Sequence, residues 1–318
     1  MTTPLIERPP EATAPGSTAP TATAPLAAPA RVIAGRPALL EEKSTHYCPG
    51  CGHGVIHRLL AELLGDLGVA ERTIAVAPVG CSVFAYDYID VDWVEAPHGR
   101  APAVATGIRR VRPEAFVLMY QGDGDLAAIG TGEIIHAAAR GERITAVFVN
   151  NGIYGMTGGQ MAPTTLLGQK TTSSPTGRDE RLMGGPIPIT EMLAILPGVA
   201  YAARGTLADA ASIGKLKAML RRAMDIQVRD AGFAIVEVLS NCPVGWGMTA
   251  QESIDHLQTV AETYPVGVIV DRLKAAATAP AVAAPAVTAP AVTAPAPTTA
   301  AAPAPPSPTP APPSAAEA

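Results

Sequence analysis

No stretch of about 18 or more apolar, proline-free residues occurs in the 318-residue chain, so no membrane-spanning helix is expected. The start, MTTPLIERPPEATAPG, mixes acids and prolines and lacks an apolar segment, which argues against a secretory signal. Cysteine is scarce, and four thiols in a chain this size do not make a disulfide scaffold. A basic block is missing too. Lys and Arg number 23 against 28 Asp and Glu, for a net charge of −5. A general nucleic-acid phosphate footprint is therefore not expected. These absences leave a soluble, cytoplasmic protein with reduced cysteines, bound to neither membrane nor nucleic acid.

Proline is plentiful but uneven. Residues 1–40 hold 8 of the 32 prolines and residues 275–318 hold 12. In the C-terminal stretch Pro280, Pro285, Pro290 and Pro295 recur every five residues in A-P-A-V-T-like repeats. Proline at that density blocks helices and sheet ladders, and Ala and Thr offer little to bury. Both ends read as disordered, partly polyproline-II extensions. Residues 41–274 have the composition of one globular domain.

Within that region strand and helix patterns alternate. Thr73–Val79, Ala115–Tyr120, Ile144–Val149 and Phe233–Leu239 are short apolar runs of the kind buried on both faces. Val55–Leu67, Ile129–Arg140 and Asp209–Arg229 carry helical apolar spacing. The alternation predicts an α/β fold with a doubly wound, mostly parallel sheet, whose ligands bind at the carboxyl ends of the strands.

Two segments stand directly after buried strands, Gly122-Asp123-Gly124-Asp125 and Asn150-Asn151. The residues between them are the length of one βαβ crossover, so Asp123 and Asn151 should reach the same sheet edge. A carboxylate and an amide oxygen suit a hard divalent cation, with a diphosphate as a natural source of further oxygens. Gly122 and Gly124 let a phosphate approach, and Gly124 is expected to head a helix. Neither a dinucleotide fingerprint nor a P-loop is present. The pattern resembles the thiamine diphosphate signature. The resemblance implies Mg²⁺ held by Asp123, Asn151 and the carbonyl of Ile153.

Cys48 and Cys51 form a C-x-x-C pair, while Cys81 and Cys242 each follow a strand. A zinc site, a redox pair and an iron–sulfur cluster are all open to these residues alone. The segments H-Y-C-P-G-C-G-H, V-G-C-S, H-G-R-A-P-A-V-A-T-G, G-D-G-D-L-A-A-I-G and Y-G-M-T-G-G-Q-M-A-P-T-T together resemble the β subunit of 2-oxoacid:ferredoxin oxidoreductases. The resemblance covers about residues 44–272. It implies a 4Fe-4S cluster on Cys48, Cys51, Cys81 and Cys242, and the thiamine diphosphate-binding (diphosphate half) fold. It further implies cofactor contacts from Gly80, Cys81, Ser82, Pro97, His98, Gly99, Arg100, Gly124, Asp125, Gly155, Met156 and Thr157. His46 and His53, which flank the C-x-x-C pair, are expected to hydrogen-bond cluster sulfurs.

The implied reaction is oxidative decarboxylation of a 2-oxoacid to acyl-CoA and CO₂. Electrons pass through the cluster to ferredoxin, and the acyl group passes to coenzyme A. The resemblance also implies an α subunit, in some assemblies with γ and δ chains, which supplies the Glu that activates the cofactor; this chain supplies no such residue. Val83 and Phe84, next to the Gly-Cys-Ser motif, are apolar. The resemblance places these positions near the substrate, which implies a branched-chain oxoacid such as 2-oxoisovalerate rather than 2-oxoglutarate or pyruvate. A non-oxidative thiamine diphosphate decarboxylase subunit is the rival reading, and it leaves the four cysteines unexplained.

Overall fold

The computed structural model describes residues 35–274. The extensions expected at residues 1–34 and 275–318 lie outside the described residues. Gly35–Leu40, also expected in the first extension, instead joins the folded unit. Leu40 forms an antiparallel bridge to Ile89, and Arg58 donates to the Gly35 carbonyl at 2.8 Å.

The elements follow in chain order as α1 (His53–Asp66), β1 (Thr73–Ala77), β2 (Asp92–Glu95), α2 (Ala101–Val111), β3 (Phe116–Gly122), α3 (Thr131–Ala139) and β4 (Thr145–Asn150). A small hairpin, β5 (Ile153–Tyr154) and β6 (Gln160–Met161), comes next. Then follow α4 (Glu180–Met183), α5 (Ile189–Ala194), β7 (Val199–Thr206), α6 (Ala210–Val228), β8 (Phe233–Leu239), α7 (Pro243–Trp246), α8 (Ala250–Thr263) and β9 (Gly267–Asp271).

The main sheet has the order β2-β1-β3-β4-β8-β7-β9. All neighbours are parallel except β9, which runs antiparallel to β7 at the edge. Strands β3, β4 and β8 are buried almost throughout, because helices cover both faces. On one face Leu60 and Leu64 of α1 and Leu216, Leu220 and Met224 of α6 pack on Tyr120, Val147 and Val236. On the other, Ala105 of α2, Ile134 of α3 and Leu193 of α5 meet Val117, Met119 and Phe148. Each fully buried large aliphatic side chain contributes about 1.5–3 kcal/mol. The two cores hold the strand ends still, and the β3–β4 register, with Gly122 opposite Val149, sets Asp123 beside Asn150 at the carboxyl edge.

Candidate functional site

Asp123 follows the last residue of β3 and is 2 % exposed. One carboxylate oxygen accepts from the Gly124 amide at 2.8 Å. The other accepts from the amides of Asn151 (3.2 Å) and Gly152 (2.6 Å) and from the Thr164 hydroxyl (2.7 Å). Burial pushes its carboxyl up to about 6, against the pull of those hydrogen bonds. All four donors are neutral, so a buried carboxylate faces the pocket without a cationic side chain bonded to it among the described residues. That is the environment a bound cation relieves.

Asn151 leaves β4 and turns at Gly152, whose φ of +66° suits glycine. Its side-chain oxygen accepts from the Ile153 amide at 3.2 Å, which curls Asn151–Ile153 around one point. Asp123, Asn151 and Ile153 line one cavity of about 150 Å³. A carboxylate, an amide oxygen and a carbonyl are the oxygen donors that fit Mg²⁺.

The same cavity is walled by Gly80, Cys81 and Ser82 after β1, by His98, by Gly124 and Asp125, and by Gly155, Met156 and Thr157. His53, Val79 and Tyr154 also line it and were not expected there. Gly124 heads a helical segment as expected, but its first turn, Asp125–Ile129, is π-helical, closed by the Gly130 amide on the Asp125 carbonyl at 3.0 Å, before α3 begins. Gly99 packs directly on this turn, where a Cβ would lie 2.7 Å from the Gly130 nitrogen.

Asp125 lines the cavity, but its carboxylate is spent on the protein. It accepts from the Gly99 amide at 2.8 Å, Gln121 at 2.5 Å and His98 Nδ1 at 2.5 Å. It therefore fastens the Pro97–Arg100 loop to the sheet. Pro97, Gly99 and Arg100 do not line the cavity. Arg100, expected among the cofactor contacts, pairs with Glu133 on α3, because α2 and α3 pack side by side and bring the two together.

The four thiols are free and close enough to perturb one another. Cys81 and Cys242 approach the same point, since a Cβ on Gly155 would sit 3.4 Å from both sulfurs. Burial first, and neighbouring thiols second, push Cys81 up to about 11 and Cys242 up to about 12. Among the described residues no three His, Cys, Asp or Glu side chains converge as on a single metal ion. Of the four, Cys81 lines the cavity, Cys48 is exposed and Cys242 is buried.

The histidines expected near the cluster sulfurs have these protein partners. His46 bonds the Tyr88 hydroxyl at 2.9 Å and the Cys81 carbonyl at 2.8 Å. His53 bonds the Tyr120 hydroxyl, because both are buried between α1 and β3. Trp246 on α7 donates to the Asn151 carbonyl at 2.9 Å, joining the segment that carries Cys242 to the loop after β4. Val83 and Phe84 lie in a 3-10 turn behind the pocket wall and do not line the cavity.

Residues 78–238 match the family model described as thiamine pyrophosphate enzyme, C-terminal TPP binding domain. The chain belongs to the thiamine pyrophosphate enzyme family. Among these enzymes it is similar to 2-oxoacid oxidoreductase subunits. It is 48% identical over 240 residues to ketoisovalerate oxidoreductase subunit VorA of Methanothermobacter thermautotrophicus, covering 75% of this chain and 50% of that protein. It is 39% identical over 202 residues to 2-oxoglutarate synthase subunit KorB of Methanocaldococcus jannaschii, covering 63% and 70%. The solved 2-oxoglutarate:ferredoxin oxidoreductase from Magnetococcus marinus superposes with a TM-score of 0.61 at 26% identity, covering 73% of this chain and 83% of that one. The chain spans about half the length of the ketoisovalerate relatives it matches. No helix among the described residues is long and apolar enough to cross a membrane.

Proposed function

We propose that this chain is the thiamine diphosphate-binding, electron-transferring β subunit of a cytoplasmic 2-oxoacid:ferredoxin oxidoreductase, acting on branched-chain 2-oxoacids such as 2-oxoisovalerate. The observation that carries the reading is one cavity wall. Cys81 lines the same pocket as Asp123 and Asn151, so a metal clamp and one thiol of a four-thiol set share it.

In this reading Asp123, Asn151 and the Ile153 carbonyl hold Mg²⁺, and Cys48, Cys51, Cys81 and Cys242 hold a 4Fe-4S cluster. Bound thiamine diphosphate supplies the carbon nucleophile that activates the oxoacid for loss of CO₂, and the cluster supplies a one-electron relay. The chain's own residues position and enclose. The Asp125 carboxylate fixes the His98–Gly99 loop at one wall, and Gly155–Thr157 form the other. Neither lining carboxylate is free to act on a second group, and no Glu lines the pocket among the described residues. An activating Glu must then come from a partner, here an α subunit, with γ and δ chains as further members. Coenzyme A accepts the acyl group and ferredoxin the electrons.

Two observations favour a branched-chain substrate. Identity to the ketoisovalerate relative is 48%, against 39% for the 2-oxoglutarate relative. Among the described residues no Lys or Arg lines the pocket to receive the distal carboxylate of 2-oxoglutarate. The test is reconstitution. The chain combined with an α partner, 2-oxoisovalerate and coenzyme A should release CO₂ and reduce ferredoxin together, and the chain alone should do neither. Undiminished ferredoxin reduction by the purified single chain would refute the two-subunit site.

A further inference from the structure

A second and larger cavity, about 520 Å³, opens at the opposite end of the sheet, at the amino ends of β3, β4 and β8. Five arginines line it, Arg72, Arg109, Arg110, Arg140 and Arg143. Their charges are not matched. Asp230 serves two of them, taking Arg109 at 2.5 Å and Arg143 at 3.0 Å. Glu142 likewise serves Arg110 at 2.6 Å and Arg140 at 2.7 Å. The third lining carboxylate, Glu114, is held by Arg112, which does not line the cavity. Arg72 reaches only a carbonyl, that of Glu114, at 3.0 Å. The lining thus concentrates positive charge on a chain whose net charge is −5.

One further observation marks the cavity as built. Gln227, 3 % exposed, lines it with its side-chain oxygen bonded to the Thr145 hydroxyl and its side-chain N–H₂ without a partner. A buried donor left unpaired costs free energy unless a ligand accepts from it. Asp230, which holds two guanidiniums, is placed at the rim by the end of α6, where its left-handed φ (+57°) closes the helix with its amide on the Gln227 carbonyl at 2.9 Å and the Ala231 amide on the Ile226 carbonyl at 3.0 Å. Helix C-termini alone account for Arg109, Arg110 and Arg140 at the ends of α2 and α3. They do not account for Arg72, Arg143, the orphaned Gln227 donor or the open volume.

We propose that this cavity binds a small molecule carrying two or more phosphate groups. Guanidinium forks match phosphate oxygens bidentately, and the volume lies in the range of small-ligand sites. The site is separate from the thiamine diphosphate pocket, which lies at the carboxyl ends of the same strands. Helices α2 and α3 run between the two, from the His98–Gly99 loop and the π-helical turn to Arg110 and Arg140, so an occupant here touches the elements that bound the other site.

The test is calorimetry on the full chain saturated with thiamine diphosphate and Mg²⁺, titrated with inorganic pyrophosphate, with ATP and with citrate. Saturable binding of pyrophosphate and ATP is expected, weakened at least about tenfold in the R110Q/R143Q double variant. Both of those side chains are more than half exposed, so the fold should tolerate the change. Asp123→Ala should leave this binding intact. The proposal is overturned if no saturable binding occurs, if the double variant binds as tightly as the parent, or if binding is lost with Asp123→Ala. Citrate binding as tightly as ATP would overturn the phosphate assignment.

Discussion

The Arg204 guanidinium meets the Glu237 carboxylate at 2.8 Å in the middle of the sheet, with the two side chains 0 % and 1 % exposed. Burial works against both charges. For Arg204, Glu191 and Glu237 outweigh it and push the guanidinium up. Burial pushes Glu237 up, while Arg204 and hydrogen bonds from Asn150 (2.7 Å) and Thr190 (2.5 Å) pull it down. Asn150 precedes the metal-loop residue Asn151. Arg204 also stacks over the Tyr264 ring, whose hydroxyl donates to the Thr164 carbonyl at 3.1 Å. The Thr164 hydroxyl in turn reaches Asp123.

Glu237→Leu should therefore destabilise the fold by about 3 kcal/mol, the scale for breaking a buried pair from one side. It should also weaken cofactor binding, because Asn150 loses its partner. Chemical denaturation and calorimetry read the two effects. An unchanged denaturation midpoint would show that Glu191 alone suffices for Arg204.

Asp123→Ala removes the single anionic ligand proposed for Mg²⁺. Mg²⁺-dependent binding of thiamine diphosphate should fall at least about tenfold, equivalent to about 1.4 kcal/mol. Cofactor affinity unchanged in this variant would remove Asp123 from the metal site.

The same residue gives a pH signature. The folded carboxyl sits at about 6 against an ordinary 3.8, so between those values the metal-free fold binds a proton that the unfolded chain releases. Stability of the metal-free protein should fall by about 3 kcal/mol from this group as pH rises through that window. Asp123→Asn should lack that fall, and Mg²⁺ with thiamine diphosphate should cancel it in the parent. Parallel stability curves for parent and Asp123→Asn across the window would contradict this.

Each of Cys48, Cys51, Cys81 and Cys242 changed singly to Ser should lower iron content and visible absorbance, since a hydroxyl replaces a thiolate poorly on iron. The parent should be brown and bleach with dithionite. A Cys242→Ser protein with full iron content would strike that residue from the cluster.

Gly99→Ala places a Cβ 2.7 Å from backbone atoms of Ile129 and Gly130, at a φ of +78°. Neither side can yield cheaply, so His98 and the π-helical turn should shift. Cofactor affinity should drop about tenfold or more, alongside a stability cost of roughly 1–3 kcal/mol. Wild-type affinity would mean that the loop does not border the cofactor.

The central strands and main helices were legible because continuous apolar runs and helical spacing leave little choice of structure. Phe233–Leu239 is bounded as the sequence reading has it, and Asp123 with Asn151 reaches one edge as the crossover length requires. Strand β7, VAYAARGT, was not legible. Its alanines favour helix, and its arginine looks like a surface residue until Glu237 and Glu191 are placed around it. Strand β9 escaped notice because it is a short edge strand that pairs only with β7. At the site, local motifs located the lining glycines but could not show which polar side chains were already taken. Asp125 and Arg100 find protein partners through contacts far along the chain, while Thr164, within the Y-G-M-T-G-G-Q-M-A-P-T-T motif, emerges as a bond to Asp123 that the motif alone does not assign.

The Trp246 indole bond to the Asn151 carbonyl makes α7 and the loop after β4 move as one piece. Cys242 caps that helix, and a Cβ on Gly245 within it would lie 2.8 Å from the Cys242 sulfur. In the proposed assembly, occupancy on the thiol side and occupancy on the oxygen side would be linked through that bond, and whatever factor one exerts on the other would be returned in equal measure.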